Sequence, residues 1–302
     1  MQKKTKIWLV SACLLLLIGG ILFGGAMYML KWDFATLSTD EYQTEVHTIP
    51  GDFSSISIRV DTVDVIFVNA GSEDATVTSH MEASITCSVR VTDGTLLIES
   101  EDHRKWYEHI GIHFGTPKVT VSIPQGQYAD LLVMTSTGDV QIPGDFAFEN
   151  ITISAGTGGI RLDGVTADSL DLTVSTGRVT VSDLTCGADL YIRVTTGRTS
   201  LSDIRCRNLS SSGDTGKITL QNVIATEIMT VARSTGDITF DRCDATELSV
   251  TTDTGDVRGS LLSEKVFIAA AHTGKIDVPN TVTGGKCQIT TDTGDIVITI
   301  EE

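Results

Sequence analysis

The chain has 302 residues, 41% of them apolar and 20% charged, with 28 glycines and 5 prolines. That length can bury a large core, and the glycine-rich, proline-poor profile points to many strands joined by tight turns, excluding collagen and long disordered tracts. A net charge of −17 with no basic stripe excludes nucleic-acid binding, because such a surface repels phosphate backbones.

Residues 1–6 carry Lys3, Lys4 and Lys6 and read as a cytoplasmic tail. Residues 7–30 hold no charge from Ile7 to Met29 and Leu30. At 1.5 Å per residue they reach roughly 36 Å, enough to cross a ~30 Å hydrocarbon core. Lysines before the span predict an inside N-terminus. The expectation is a single-pass signal anchor in a cell membrane, with the bulk of the chain extracytoplasmic. Two other readings stay open: cleavage near Gly24-Gly25-Ala26, and lipidation of Cys13 in Val10-Ser11-Ala12-Cys13. The apolar run continues past the first, and its strongest part, Leu14 to Ile18, lies after the second.

Residues 31–45 read as a linker. Residues 46–130 form an irregular β region with strands at Ser57–Val60, Val63–Val68, Ile85–Val91, Leu96–Ile98 and Val119–Pro124, expected to cap the N-terminal end of the regular repeats. From residue 131 to 302 the pattern becomes regular. A Thr-Gly pair recurs at Gly138, Gly158, Gly177, Gly197, Gly216, Gly236, Gly255, Gly274 and Gly294, every interval being 19 or 20 residues. Two residues after each glycine come Val140, Ile160, Val179, Thr199, Ile218, Ile238, Val257, Ile276 and Ile296. Further apolar and small columns accompany these, and Cys186 and Cys206 share one of them. Period-2 alternation after a glycine turn is a strand with one buried face. A 20-residue unit cannot bury that face alone, but stacked copies can. The fold class is therefore all-β: a single-stranded β-solenoid (β-helix-like) with about 19–20 residues per rung, preceded by one transmembrane helix. Nine rungs at ~4.8 Å stand roughly 43 Å tall. The chain closes on Ile296–Ile300 with Glu301 and Glu302, expected to be an exposed edge whose charges discourage stacking.

The units Ser136-Thr137-Gly138-Asp139-Val140, Asp214-Thr215-Gly216-Lys217-Ile218 and Asp292-Thr293-Gly294-Asp295-Ile296, with Pro117–Pro124 before them, resemble the bacterial "putative adhesin" family, a toastrack-like domain of unknown function. The likeness covers roughly residues 46–302. It implies a membrane-associated envelope protein, at times linked with an envelope-stress response, and brings no catalytic residues.

Several features are candidate sites. The threonine column could face a ligand, although the plainer expectation is a hydroxyl bonded to nearby backbone in each turn. The residue after each glycine gives Arg178, Arg198 and Lys217 in successive rungs, flanked by acidic ones; these cations could hold an anionic wall polymer, or serve as a solvated mixed-charge edge. Trp106 and Tyr107 lie in the one segment dense in His and aromatics, as anchors for a protein partner or the membrane interface or as a loop folded onto the solenoid. His109 and His113 lack the His-Glu-x-x-His order of a metal site. Calcium is disfavoured because aspartate follows Thr-Gly in only four of nine rungs. Cys186 and Cys206, stacked, are close enough for a disulfide, though parallel Cβ vectors suit one poorly; as thiols they would act as small hydrophobes. No Cys-x-x-Cys occurs, and no metal or cofactor is expected.

The function expected is non-enzymatic: binding or scaffolding at the bacterial cell envelope. The alternatives are an adhesin binding wall or host polymer, and a polysaccharide-acting β-helix enzyme. The enzyme needs clustered carboxylates, whereas pairs such as Asp241 and Asp244 read as solvated turns.

Overall fold

The computed structural model describes residues 3–32, 42–49, 52–71, 74–104, 115–144 and 146–301. A helix, Lys3–Met29, includes the apolar stretch Trp8–Met29, long and apolar enough to cross a membrane. Most described residues after it are strand, and most of these strands stack in parallel as one coil, a β-solenoid.

The turn from Leu170 to Cys186 shows how the coil is built. Leu170, Leu172 and Val174 face inward along one side, Val179 and Val181 along the next, and Leu184 and Cys186 along a third, all at most 4% exposed. Residues between them alternate outward. Each fully buried aliphatic side chain contributes about 1.5–3 kcal/mol, but only because the turns above and below cover it.

Two kinds of corner separate the sides. The first is the Thr-Gly corner. Gly197 has φ +145°, a region open to glycine alone, and a Cβ there would lie 1.6 Å from the carbonyl oxygen of Gly177 in the neighbouring turn. Glycine recurs because backbone meets backbone at this corner. The second lies six residues on, where Asp183, Asp203, Asn222 and Arg242 adopt φ between 52° and 56°. Asp and Asn tolerate this left-handed conformation better than most residues, which explains a column the periodicity alone does not single out.

The stack has more members than the glycines mark. Strands Ser55–Thr62 and Asp64–Asn69 pair in register with the Gly138 turn, placing Thr62 against Thr137 and Val65 against Val140. Valine at 63 stands where glycine otherwise recurs. Beyond this turn lie Thr95–Asp102 and Lys118–Ile123, still parallel. The antiparallel strands Tyr42–Thr48, Thr76–Glu82 and Ile85–Thr92 complete this end.

The opposite end departs from sequence order. The Gly294 turn stacks between those of Gly255 and Gly274: Thr254 pairs with Thr293, and Thr293 with Thr273. Strand Ile296–Ile300 is hydrogen-bonded on both sides, to Val257–Leu261 and to Ile276–Asp277. The C-terminal strand is thus interior, contrary to expectation. Residues 278–284 give the chain the length to step past one turn and return beneath it. Glu301 is no edge charge; it accepts from Ser260 at 2.8 Å and pairs with Arg242 at 3.1 Å. The exposed edge is Lys265–Thr273, with Val266 and Ile268 turned to solvent.

Candidate functional site

The Thr-Gly corner stacks ten threonines in register, in the order Thr62, Thr137, Thr157, Thr176, Thr196, Thr215, Thr235, Thr254, Thr293 and Thr273. All ten are exposed. Their hydroxyls make no hydrogen bond among the described residues, so the turn-capping role expected for them is not what the structure shows. Nine of the ten precede a glycine, Thr62 preceding Val63, and all ten present exposed side chains at the corner.

Apart from Gly159, the residues that follow this corner divide into two chemical groups. The aspartates tie one turn to the next: Asp64 accepts the N–H of Asp139 at 2.8 Å, Asp139 that of Gly159 at 2.7 Å, Asp237 that of Asp256 at 3.1 Å, and Asp256 that of Asp295 at 2.8 Å. The Asp295 N–H and the Arg258 guanidinium hold the Asp256 carboxyl below its ordinary pKa. Arg258 also reaches Asp295, at 2.9 Å.

Between these acidic turns the column changes sign. Arg178 pairs in register with Arg198, and Arg198 precedes Thr199, which pairs with Ile218 beside Lys217. The three cations therefore lie at ladder spacing, ~4.8 Å between backbones. All three are exposed, and none has an ion-pair partner among the described residues. Arg161 adds a fourth cation, 4.0 Å from Asp163, and lines a cleft of about 240 Å³ with Arg178, Thr180 and Asp139. Thr180, Ser200 and Thr219 stack beside the cations on the same side of the coil. The result is a rigid strip of stacked positive charge between two rows of hydroxyls, on a chain whose net charge is −17.

Other candidates fare differently. Trp106, Tyr107, His109 and His113 lie outside the described residues. Cys186 and Cys206 are both free and buried. Cys186 donates to the Asp168 carbonyl at 3.2 Å, and burial pushes the Cys206 thiol up to about 12. Among the described residues no three His, Cys, Asp or Glu side chains converge as a metal site.

Two polar devices are not evident from the sequence. Arg233 points inward at a position where other turns carry Ala155, Val174 and Val194; it donates to the Val194 carbonyl at 2.5 Å and to the Thr199 hydroxyl at 3.1 Å. Gly213, directly beneath it, leaves the room: a Cβ there would sit 1.8 Å from the guanidinium. The only sequence signal is three departures from column type, at 199, 213 and 233. The second device is Lys265, 3% exposed, paired with Asp244 at 2.6 Å. Asp244 is therefore an ion-pair partner in a cleft and not the solvated turn residue expected.

Comparison with known proteins fits this architecture. No curated protein matches the sequence. A crystal structure of a "putative adhesin" from Parabacteroides merdae is similar with a TM-score of 0.54 at 15% identity, over 87% of this chain and 98% of that one. A "putative adhesin" from Bacteroides fragilis gives 0.46 at 16% identity, over 87% and 99%. A "putative lipid binding protein" from Parabacteroides distasonis gives 0.43 at 15%, over 87% and 98%. At these identities the likeness concerns the fold. The Toastrack family (DUF4097) matches residues 53–205 and 186–302, taking in the solenoid and much of its N-terminal end, and the chain belongs to that family.

Proposed function

We propose that this protein is a non-catalytic binding protein of a bacterial cell envelope, tethered to the membrane by Lys3–Met29, and that its Arg178–Arg198–Lys217 strip holds an anionic polymer. The observation that carries this reading is the stacking of three cations, without ion-pair partners among the described residues, in a column whose aspartates elsewhere brace the fold. Unit charges ~5 Å apart repel by roughly 0.8 kcal/mol even in water, and like charges directly opposed on a sheet destabilise it. The strip offers the fold no compensating contact, whereas a chain of phosphates along it would offset the repulsion at each rung. The hydroxyls of Thr180, Ser200 and Thr219 add neutral hydrogen-bonding positions beside it. The adhesin description of the similar Parabacteroides merdae fold agrees with a binding role.

Poly(glycerol phosphate) binding to the full chain in detergent micelles, measured by fluorescence anisotropy, tests this. Saturable binding that weakens as salt rises and is lost in Arg178→Glu/Arg198→Glu/Lys217→Glu is expected. Binding unchanged by the triple reversal, or no binding by the unmodified protein, would refute the assignment.

A further inference from the structure

The end of the solenoid holds a second candidate site, centred on Lys265. Where the last turns swap order, the ladder on one side of the coil stops and leaves a cleft of about 640 Å³. Its polar centre is Lys265. The Nζ atom donates to Asp244 Oδ1 at 2.6 Å and to Ser263 Oγ at 2.5 Å, and Ser263 Oγ donates to the same Asp244 oxygen at 2.9 Å. An ammonium carries three N–H donors, so one stays unused by these two partners. Asp244 Oδ1 also accepts the Ala245 N–H at 2.9 Å, which loads one carboxylate oxygen and leaves Oδ2 without a partner among the described residues. Glu264, exposed at the rim, adds a second carboxylate that accepts from Thr283.

The wall opposite is built from Gly284 and Gly285, with Thr226, Thr246 and Thr283 adding hydroxyls beside it and the buried Ala225 and Ala245 behind them. A Cβ on Gly284 would lie 1.8 Å from the Glu264 carbonyl oxygen, and one on Gly285 1.7 Å from that of Thr246, so tight backbone packing keeps this wall free of side chains.

We propose that this cleft binds a neutral saccharide unit. The spare donor and spare acceptors must be answered by groups that both give and take hydrogen bonds, as vicinal sugar hydroxyls do. The side-chain-free glycine wall leaves room for a sugar ring to approach the backbone, and the lining threonines offer further hydroxyl partners. Charge excludes the alternatives in part: Lys265 is balanced by Asp244, and Glu264 leaves the cleft with a net negative charge that repels an anionic ligand. Hydrolysis is not implied. The Ser263 hydroxyl donates to Asp244 Oδ1 at 2.9 Å and accepts from Lys265, so it is engaged within the ion pair and is not set up as a nucleophile.

Saturation-transfer NMR and calorimetry on the full chain in micelles, with chitotetraose as the neutral probe and tetragalacturonate and chitosan tetramer as charged ones, test the proposal. Chitotetraose should bind, and Lys265→Met and Glu264→Gln should each weaken it by at least about tenfold, the loss expected for a charge-assisted hydrogen bond. Glu264→Gln lies at an exposed position, so its fold should be intact if Lys265→Met misfolds. Arg198→Glu should leave the affinity unchanged, which separates this site from the cation strip. Absence of chitotetraose binding, binding insensitive to Glu264→Gln, or preference for either charged probe would overturn the assignment.

Discussion

Replacing Gly197 by alanine tests whether the solenoid is held by backbone packing at the Thr-Gly corner. Two costs add. The φ of +145° lies in a region that an L residue enters at about 1–3 kcal/mol. The new methyl would also sit 1.6 Å from the Gly177 carbonyl oxygen, well inside contact distance, so the two turns must separate. Opening the ladder locally weakens two or three backbone hydrogen bonds, each worth about 0.5–1.5 kcal/mol net. The sum is about 2–7 kcal/mol. Gly94 provides the comparison, because its φ of +72° carries the conformational cost but a Cβ there meets nothing within 4 Å. Gly126 carries neither cost, its Cβ meeting only the Tyr128 ring at 4.0 Å. Thermal and urea unfolding of the three alanine variants, followed by circular dichroism, should rank Gly126→Ala near the unmodified protein, Gly94→Ala about 1 kcal/mol lower, and Gly197→Ala lowest by a clear margin. Because stacked turns unfold in parts, hydrogen exchange should show the largest loss of protection at residues 177 and 197. If Gly197→Ala is no worse than Gly94→Ala, the close approach of the turns is not what fixes glycine in this column.

Three other perturbations rest on the same geometry. Arg233→Met should destabilise the protein by about 1–3 kcal/mol by leaving the Val194 carbonyl and the Thr199 hydroxyl buried without a partner, and adding Thr199→Val should recover part of that; a double variant no more stable than the single one would refute the pairing. Asp256 gains stability from its lowered pKa, a contribution present above the ordinary carboxylate pKa and lost as pH falls through the folded value; the stability gap between the unmodified protein and Asp256→Asn should therefore close as pH drops below about 4, and a constant gap would show the carboxylate's charge is irrelevant. Burial lifts the Cys206 and Cys287 thiols to about 12 and Cys243 to about 11. At pH 8 a thiol with pKa 12 is ionised to about one part in ten thousand, so these cysteines should resist a thiol reagent until the protein unfolds. Six thiols should then titrate without reductant; a count of four would show that a disulfide, with Cys186 and Cys206 as the first pair to examine, had formed.

The repeat is legible because a solenoid repeats its environment. Each turn meets the same neighbours, so the same position demands the same residue type, and Gly138 through Gly294 announce the coil without any tertiary information. Legibility fails where the neighbours differ. The turn at Thr62-Val63-Asp64 lacks the glycine, and only its register with Thr137 identifies it. The swap of the last two turns is invisible in the sequence, since Gly274 and Gly294 fit the column equally well in either order. Arg233 and Lys265 are hidden for a related reason: each is a departure whose meaning depends on which residues lie one and two turns away, and those distances are set by stacking and not by sequence separation.

Column departures can nonetheless be sorted by what the structure does with them. At Arg233 the departure is answered within the fold, by Gly213 making room and Thr199 supplying an acceptor, so its consequence is for stability. At Lys265 it is answered in part, by Asp244 and Ser263, with hydrogen-bonding capacity left over beside a cleft. At Arg178, Arg198 and Lys217 nothing among the described residues answers it, although the same column elsewhere supplies aspartates that bind the next turn's backbone. A rigid coil whose turns are fixed by glycine corners cannot move to satisfy an outward-facing group. The less of a departure the fold answers, the more of it is left to solvent or to a ligand, and that ordering ranks the cation strip ahead of the Lys265 cleft among the proposed binding places.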